Sequence, residues 1–315
     1  MPDPARGSGA TGSVSYVGDA FGLTLEYKDY RFGIVDPYRR TDPNRPDRAF
    51  AFQHPPIVHR EHTATLMSRF PHVVDFNDEV GFQLDIFATF FERLTCALNS
   101  SLASRHYRWT PTGDSTAEGL PIYGRMDREG AFLPSLSAEL SPFWEIYAEM
   151  QYFLNDEGTD YALVALNRRK SVTADEANYS APGGPALSET LLWDLPVSLQ
   201  MTVSPGLSLQ ASVEQQWVQE IFSTMGTEYQ NQACWLRVSY QPGLTVGLRY
   251  ETTTSPATLD GRTEWFALDV GYRVASSHTV GLTVGTERGG AVCSNGICRI
   301  VSPFHGVRAS LVSYF

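Results

Sequence analysis

No run of about 18 to 20 apolar residues occurs in the 315-residue chain, so no helix of this sequence is long and apolar enough to span a bilayer. A basic excess is also missing: 24 Lys and Arg stand against 35 Asp and Glu, for a net charge of −11. Binding to a phosphate backbone needs Lys and Arg gathered in a patch or stripe, so nucleic acid is excluded as an expected partner. Amphipathic helical periodicity longer than about three turns is absent. Cysteine is scarce, at four. Cys96 and Cys234 sit inside apolar alternation and read as small hydrophobes. Cys293 and Cys298 flank an Asn-Gly turn in "AVCSNGICRI" and either close a small disulfide loop in an oxidising compartment or stay as a reduced pair. The first segment, "MPDPARGSGATGS", lacks the basic and apolar regions of a secretory signal. Residues 1–10 are therefore expected to be a flexible segment, left by a removed signal or by truncation.

Catalytic signatures are missing as well. There is no G-x-S-x-G, Walker loop or G-x-G-x-x-G between a strand and a helix. Glu145 and Glu149 share a face but stand about 13 Å apart along a strand, too far to cooperate. No enzyme activity and no cofactor are expected.

What the chain does have is period-two alternation, dominant from residue 80 onward. In "EWFALDVGYRV", Phe266, Leu268, Val270, Tyr272 and Val274 fall on one face, and Trp265, Ala267, Asp269, Gly271 and Arg273 on the other. The same split recurs in "HTVGLTVGTE", "LTVGLRYE" and "LSLQASVEQ". Tight turns are expected at 141–142, 204–206, 241–243 and 275–277, with longer polar connections near 154–187, 220–228, 252–262 and 288–303. Short turns at one end and long loops at the other describe an antiparallel up-and-down meander. Earlier strands are expected near 11–18, 20–32, 79–90, 93–108, 131–140 and 143–153, for about 13 in all. Bacterial single-chain outer-membrane barrels close with an even number, so the odd count predicts further strands upstream.

Alternation alone does not say which face meets solvent. Expected strand lengths of about 9 to 15 residues suit a tilted bilayer crossing, whereas soluble strands are nearer five or six. Aromatics gather at strand ends on the apolar face: Tyr27, Phe82, Phe90, Trp144, Tyr152, Trp193, Tyr240, Tyr250, Phe266 and Tyr272. Two interfacial girdles explain that placement. The expected fold is an all-β transmembrane β-barrel over 11–315, with short periplasmic turns, long extracellular loops and a polar lumen, in a bacterial outer membrane.

The final "HGVRASLVSYF" resembles the closing strand of bacterial outer-membrane proteins, with Val307, Ala309, Leu311 and the terminal Phe315 on one face. The resemblance implies outer-membrane lipid and the barrel insertion machinery as partners. Ser313 stands where that pattern has a bulky residue. Two longer stretches, "HPPIVHREHTATLMSRFPHVVDFNDEVGFQLD" and "GTERGGAVCSNGICRIVSPFHGVRASL", are similar to an uncharacterised family of bacterial outer-membrane proteins, a domain of unknown function. That family's members are longer at the N-terminus, and the resemblance implies no activity and no ligand residue.

The insertion from 33 to 78 is the least barrel-like part. It holds His54, His59, His62 and His72, with Arg60, Glu61 and Arg69. Its helical piece "REHTATLMSRF" is expected to enter the lumen as a plug or constriction. His59 and His62 at i,i+3 match neither a zincin nor a finger spacing, so polar loop residues are the reading and no metal is expected. Asp75, Asp78 and Glu79 lack the spacing of an EF-hand loop and read as a solvated acidic turn. Arg60, Glu61, Arg69, Asp85, Arg237, Arg249, Asp269 and Arg273 are the candidates for a lumen field or constriction, with anchoring of the insertion to charges such as Asp85 as the alternative role. Two functions follow: a porin-like or substrate-selective channel for small polar solutes, or a closed barrel acting as a scaffold for a surface complex.

Overall fold

The computed structural model describes residues 8–31, 64–70, 72, 78–127, 131–174, 186–222, 225–241, 243–258, 260–274, 277–294 and 297–313. Among the described residues seventeen strands follow one another: β1 (Ser8–Val17), β2 (Phe21–Arg31), β3 (Asp78–Phe90), β4 (Leu94–Ser104), β5 (Tyr107–Ser115), β6 (Pro121–Asp127), β7 (Phe143–Phe153), β8 (Tyr161–Ala174) and β9 (Leu187–Ser204). Then come β10 (Leu207–Phe222), β11 (Met225–Tyr240), β12 (Leu244–Thr253), β13 (Glu264–Arg273), β14 (His278–Glu287), β15 (Gly290–Ser294), β16 (Ile297–Val301) and β17 (Phe304–Ser313). Helix is confined, among the described residues, to single 3-10 turns at Met67–Arg69 and Ala138–Leu140.

Thirteen strands form one antiparallel meander in the order β1-β2-β3-β4-β7-β8-β9-β10-β11-β12-β13-β14-β17, each hydrogen-bonded to the next. The sheet is open between β1 and β17. The hairpins β5–β6 and β15–β16 lie outside it, both inserted at the long-loop end. The expected count of thirteen is met, but by different membership. Residues 131–140, expected as a strand, are a loop ending in the 3-10 turn Ala138–Leu140; Pro134 lacks the N–H a ladder needs. The tight turn at Ser141-Pro142 therefore sits at the end of a long connection. The expected strand 93–108 stops at Ser104, and Tyr107 opens a separate hairpin. The 154–187 connection contains β8, and the 220–228 connection is almost all strand, β10 and β11 pairing from Leu207↔Tyr240 to Phe222↔Met225. Strand β1 begins at Ser8, inside the segment expected to be flexible.

Strand β9 carries Pro196 in the middle of the sheet. Its ladder to β8 lapses between Val164↔Val197 and Asn167↔Asp194, while Glu214↔Pro196 pairs on the β10 side. The missing proline N–H is thus turned toward β8.

The two faces are the reverse of a water-soluble protein's. On one face Lys28, Asn99, Glu145, Asn167, Gln216 and Asn231 are completely buried. On the other, Leu25, Val197, Val213, Leu248, Val284 and Leu311 are exposed. Fully burying one such aliphatic side chain contributes about 1.5 to 3 kcal/mol. A continuous outward band of them is inconsistent with water on that side and matches a lipid-facing wall. Aromatic rows bound the band. Trp193 pairs with Trp217 and Tyr250 with Phe266 toward the long loops. Phe90, Tyr152, Tyr240 and Tyr272 stand at the turn end.

Candidate functional site: the occupied lumen

The site is built where the insertion meets the inward face. Inward residues at paired register positions bond directly across the strands. Gln216 Nε2 donates to Asp194 Oδ1 at 2.8 Å, Asn231 Nδ2 to Gln216 Oε1 at 2.6 Å, and Thr253 Oγ1 to Asn231 Oδ1 at 2.6 Å, linking β9 through β12. On β3 and β4, Asp85 accepts from Gln83 Nε2 at 2.7 Å and Asn99 Nδ2 at 2.6 Å. On β7 and β8, Arg169 pairs with fully buried Glu145 at 3.3 Å. These groups can be buried because each finds a partner, on the neighbouring strand or, for Gln83, two residues along its own.

Residues 64–70 lie against this face, packing on side-chain clusters and carboxylates drawn from six consecutive strands, β7 to β12. Met67 packs with Tyr147 of β7 and Ala165 of β8. Phe70 packs on the cluster of Leu192, Val218 and Tyr229 from β9, β10 and β11. Leu66 is fully buried, and its carbonyl accepts from Gln216 Nε2 at 3.2 Å. The carboxylate of Glu214 on β10 takes the backbone N–H groups of Thr65 at 2.7 Å and Leu66 at 2.6 Å. Those are the amides at the start of the 3-10 turn, which have no partner inside it.

Arg69 donates to Glu251 Oε2 of β12 at 2.5 Å and to the Gly289 carbonyl at 3.3 Å. Glu251 Oε1 takes Arg288 at 3.0 Å, so one carboxylate is held between two guanidinium groups from different segments. Arg288 also donates to Asn231 Oδ1 at 3.1 Å and lies over the Trp265 ring at 5.2 Å. A cavity opens beside this cluster, lined by Arg69, Phe70, Thr258, Asp260 and Arg288. Asp260 lies in the loop after β12. Slight desolvation raises its pKa, but the Trp265 indole N–H at 3.1 Å and the Arg262 backbone amide at 3.2 Å outweigh that and hold it below the ordinary aspartate value.

At the other end of the insertion, Glu79 pairs with fully buried Lys28 at 2.5 Å and with His72 Nε2 at 3.2 Å, and the His72 ring stacks on Phe143 with centroids 3.9 Å apart. Asp78 and Glu79, read together as an acidic turn, project to opposite sides of β3. Asp78 accepts from the His106 and Tyr107 backbones at 2.9 and 3.2 Å. They form neither a solvated turn nor a shared cation site.

Of the sequence candidates, the structure brings Arg69 into the lumen. Arg249 and Asp269 form a second cluster nearer β17: Arg249 Nε bonds Asp269 Oδ2 at 2.7 Å and its Nη2 reaches Glu287, which also takes Arg308 at 2.9 Å. Asp85 lies in the wall network; the described part of the insertion is anchored to Glu214, Glu251 and Glu79 instead. Arg237 rests over Trp235 at 5.5 Å, and Arg273 stands exposed at the turn end of β13. Arg60, Glu61, His54, His59, His62, Asp75 and Phe315 lie outside the described residues. Cys293 and Cys298 are backbone register partners in the β15–β16 ladder. Among the described residues no cluster of His, Cys, Asp or Glu is arranged to hold a metal. Sequence reasoning assigned no site role to Glu214 or Arg288, which look like any other charge on an alternating strand or loop, and read Glu79 as part of an acidic turn.

Comparison with known proteins bears on the fold. The FrpB iron transporter from Neisseria meningitidis (F3-3 variant) is similar over 91% of this chain and 44% of its own, with TM-score 0.52 and 11% identity. The ferric enterobactin receptor PfeA from Pseudomonas aeruginosa, solved as a mutant with enterobactin, covers 94% and 43% with TM-score 0.47 and 9% identity. The toluene transporter TodX from Pseudomonas putida covers 96% and 79% with TM-score 0.31 and 10% identity. The chain thus spans less than half the length of the first two. The likeness to FrpB agrees with the inverted faces in giving an outer-membrane β-barrel fold. A search of curated proteins finds no match. Over residues 3–315 the chain matches, and belongs to, a family of unknown function, DUF6029.

Proposed function

We propose that the protein is an outer-membrane channel or transporter of a bacterium, with a polar lumen that residues 64–70 and His72 restrict. The observation that carries this reading is the segment's seat: residues 64–70 pack on side chains drawn from β7 to β12 on the buried polar face, held by Glu214 and Glu251, while Glu79 holds His72. A segment so placed obstructs the route along the lumen, and the Arg69–Glu251–Arg288 cluster puts fixed charge where a solute would pass. Small polar solutes are the proposed cargo. Lipid is the proposed partner of the outward face, and the insertion machinery the proposed reader of the C-terminal strand.

Single-channel recording of the full chain in planar bilayers tests this. Low conductance that rises when residues 64–72 are replaced by a Gly-Ser linker is the expected result. Absence of conductance before and after the replacement would overturn it. The dense packing of Leu66, Met67 and Phe70 favours the second reading, a closed barrel that scaffolds a surface complex. A stoichiometric partner in detergent extracts, together with silent bilayers, is the outcome that selects it.

A further inference from the structure

A patch of polar side chains occupies the outward side of β2–β4 at the long-loop end. Tyr27, Asp29 and Arg31 alternate in phase with Leu25, which is exposed on the lipid-facing band. Asp78 is out of phase with inward Gln83, and Ser104 is in phase with exposed Leu98. Left bare, these groups would meet the boundary between headgroups and acyl chains.

The 105–142 connection folds back over them. His106 is completely buried, its ring nitrogens paired with Asp78 and, at 3.2 Å, with Asp29. Arg31 donates to the Ala131 carbonyl at 3.0 Å, the Tyr27 hydroxyl to the Phe132 carbonyl at 2.8 Å, and the Ser135 N–H to Ser104 Oγ at 2.9 Å. Buried Leu140 closes the loop, its carbonyl accepting the Arg105 N–H at 2.8 Å. Held this way, the loop turns three large apolar side chains outward: Phe132 is 67% exposed, Leu133 68% and Leu136 65%. Its charged residue, Glu139, turns instead toward Arg108 of the β5 hairpin at 3.7 Å.

We propose that residues 131–137 are a membrane-interface anchor, seating Phe132, Leu133 and Leu136 in the acyl boundary of the outer leaflet. The inference rests on the reading of the outward face as lipid-facing. Continuity with that band identifies the occupant: the loop replaces a polar patch with apolar surface on the same side and at the same edge as Leu25 and Leu98. An apolar loop reaching toward water or over the lumen would not be tied to outward-pointing side chains.

The test is photo-crosslinking of the full chain in phosphatidylcholine vesicles, with benzoylphenylalanine placed singly at 132, 136, 213 or 114. Position 213 lies in the exposed apolar band, and 114 at the exposed tip of the β5 hairpin. Lipid adducts at 132 and 136 comparable to those at 213, with none at 114, are expected. Adducts at 213 but not at 132 or 136, or crosslinks from 132 and 136 to protein, overturn the anchor and leave the barrel reading standing. Loss of adducts at 213 as well overturns both.

Discussion

Glu214 shows how one residue can set the state of the lumen. Its two carboxylate oxygens each take one backbone N–H of the inserted segment, that of buried Leu66 and that of half-buried Thr65. Removing the acceptor leaves both donors unsatisfied, at about 1 to 3 kcal/mol for the buried Leu66 amide and less for the half-buried Thr65 amide. Glu214→Ala is expected to loosen the segment by about 2 to 5 kcal/mol, without changing the outward face. Limited proteolysis of the membrane-inserted protein should then cut within 64–72, where the unaltered chain resists. Glu214→Gln, which keeps one carbonyl oxygen, should fall between the two. Nothing in "LSLQASVEQQW" marks this glutamate out, because alternation places a polar residue there whatever its partner. Its role depends on a segment about 150 residues earlier in the chain.

At the scale of elements, β8 is the instructive departure. "YALVALNRRKSVTA" breaks alternation because Arg168 and Lys170 sit on the outward side along with Leu166 and Val164. Arg168 lies over Trp193 at 4.6 Å and near Trp144 at 5.5 Å, and Lys170 pairs with Glu189 at 2.7 Å. The strand crosses the girdle at this point, so cations on the outward face are held by aromatic rings and a carboxylate at the interface. A pattern rule that demands one polar face fails where a strand leaves the lipid. The converse holds at 131–140, where apolar spacing serves the outside of a loop. The β15–β16 hairpin carries a separate expectation. Its register sets Cys293 opposite Cys298, and we expect a disulfide there in protein from an oxidising compartment. Thiol titration of the denatured chain should find only Cys96 and Cys234 reactive before reduction, and all four cysteines after it. Four reactive thiols at the outset would refute the bridge.

For the whole molecule, the decisive property is which face meets which medium. Leu248 is exposed in the apolar band and neighbours Arg249, which points inward to Asp269. An arginine on the lipid face near mid-membrane costs about 2 to 4 kcal/mol. Leu248→Arg is expected to lower the stability of the vesicle-inserted protein by that amount in urea titrations. Thr245→Asp, on the inward face, should change it far less. Equal effects would contradict the assignment of faces. Gly285 constrains the same region of the sheet: at φ +133°, a Cβ there would come within 2.2 Å of the Phe266 carbonyl oxygen, so β14 can approach β13 this closely only with glycine.

The meander, the faces and the aromatic rows are legible in the alternation alone, because each depends on neighbours two residues apart or on a strand's own ends. The sequence also singled out Arg69, which the described part of the insertion places beside Glu251. Three-dimensional packing was needed to show what the described part of the insertion touches, which carboxylates hold it, and which of two similar apolar segments is a strand. Those outcomes depend on partners brought together by the curl of the sheet, where burial makes an unpaired polar group costly and so selects one arrangement among many that the alternation allows.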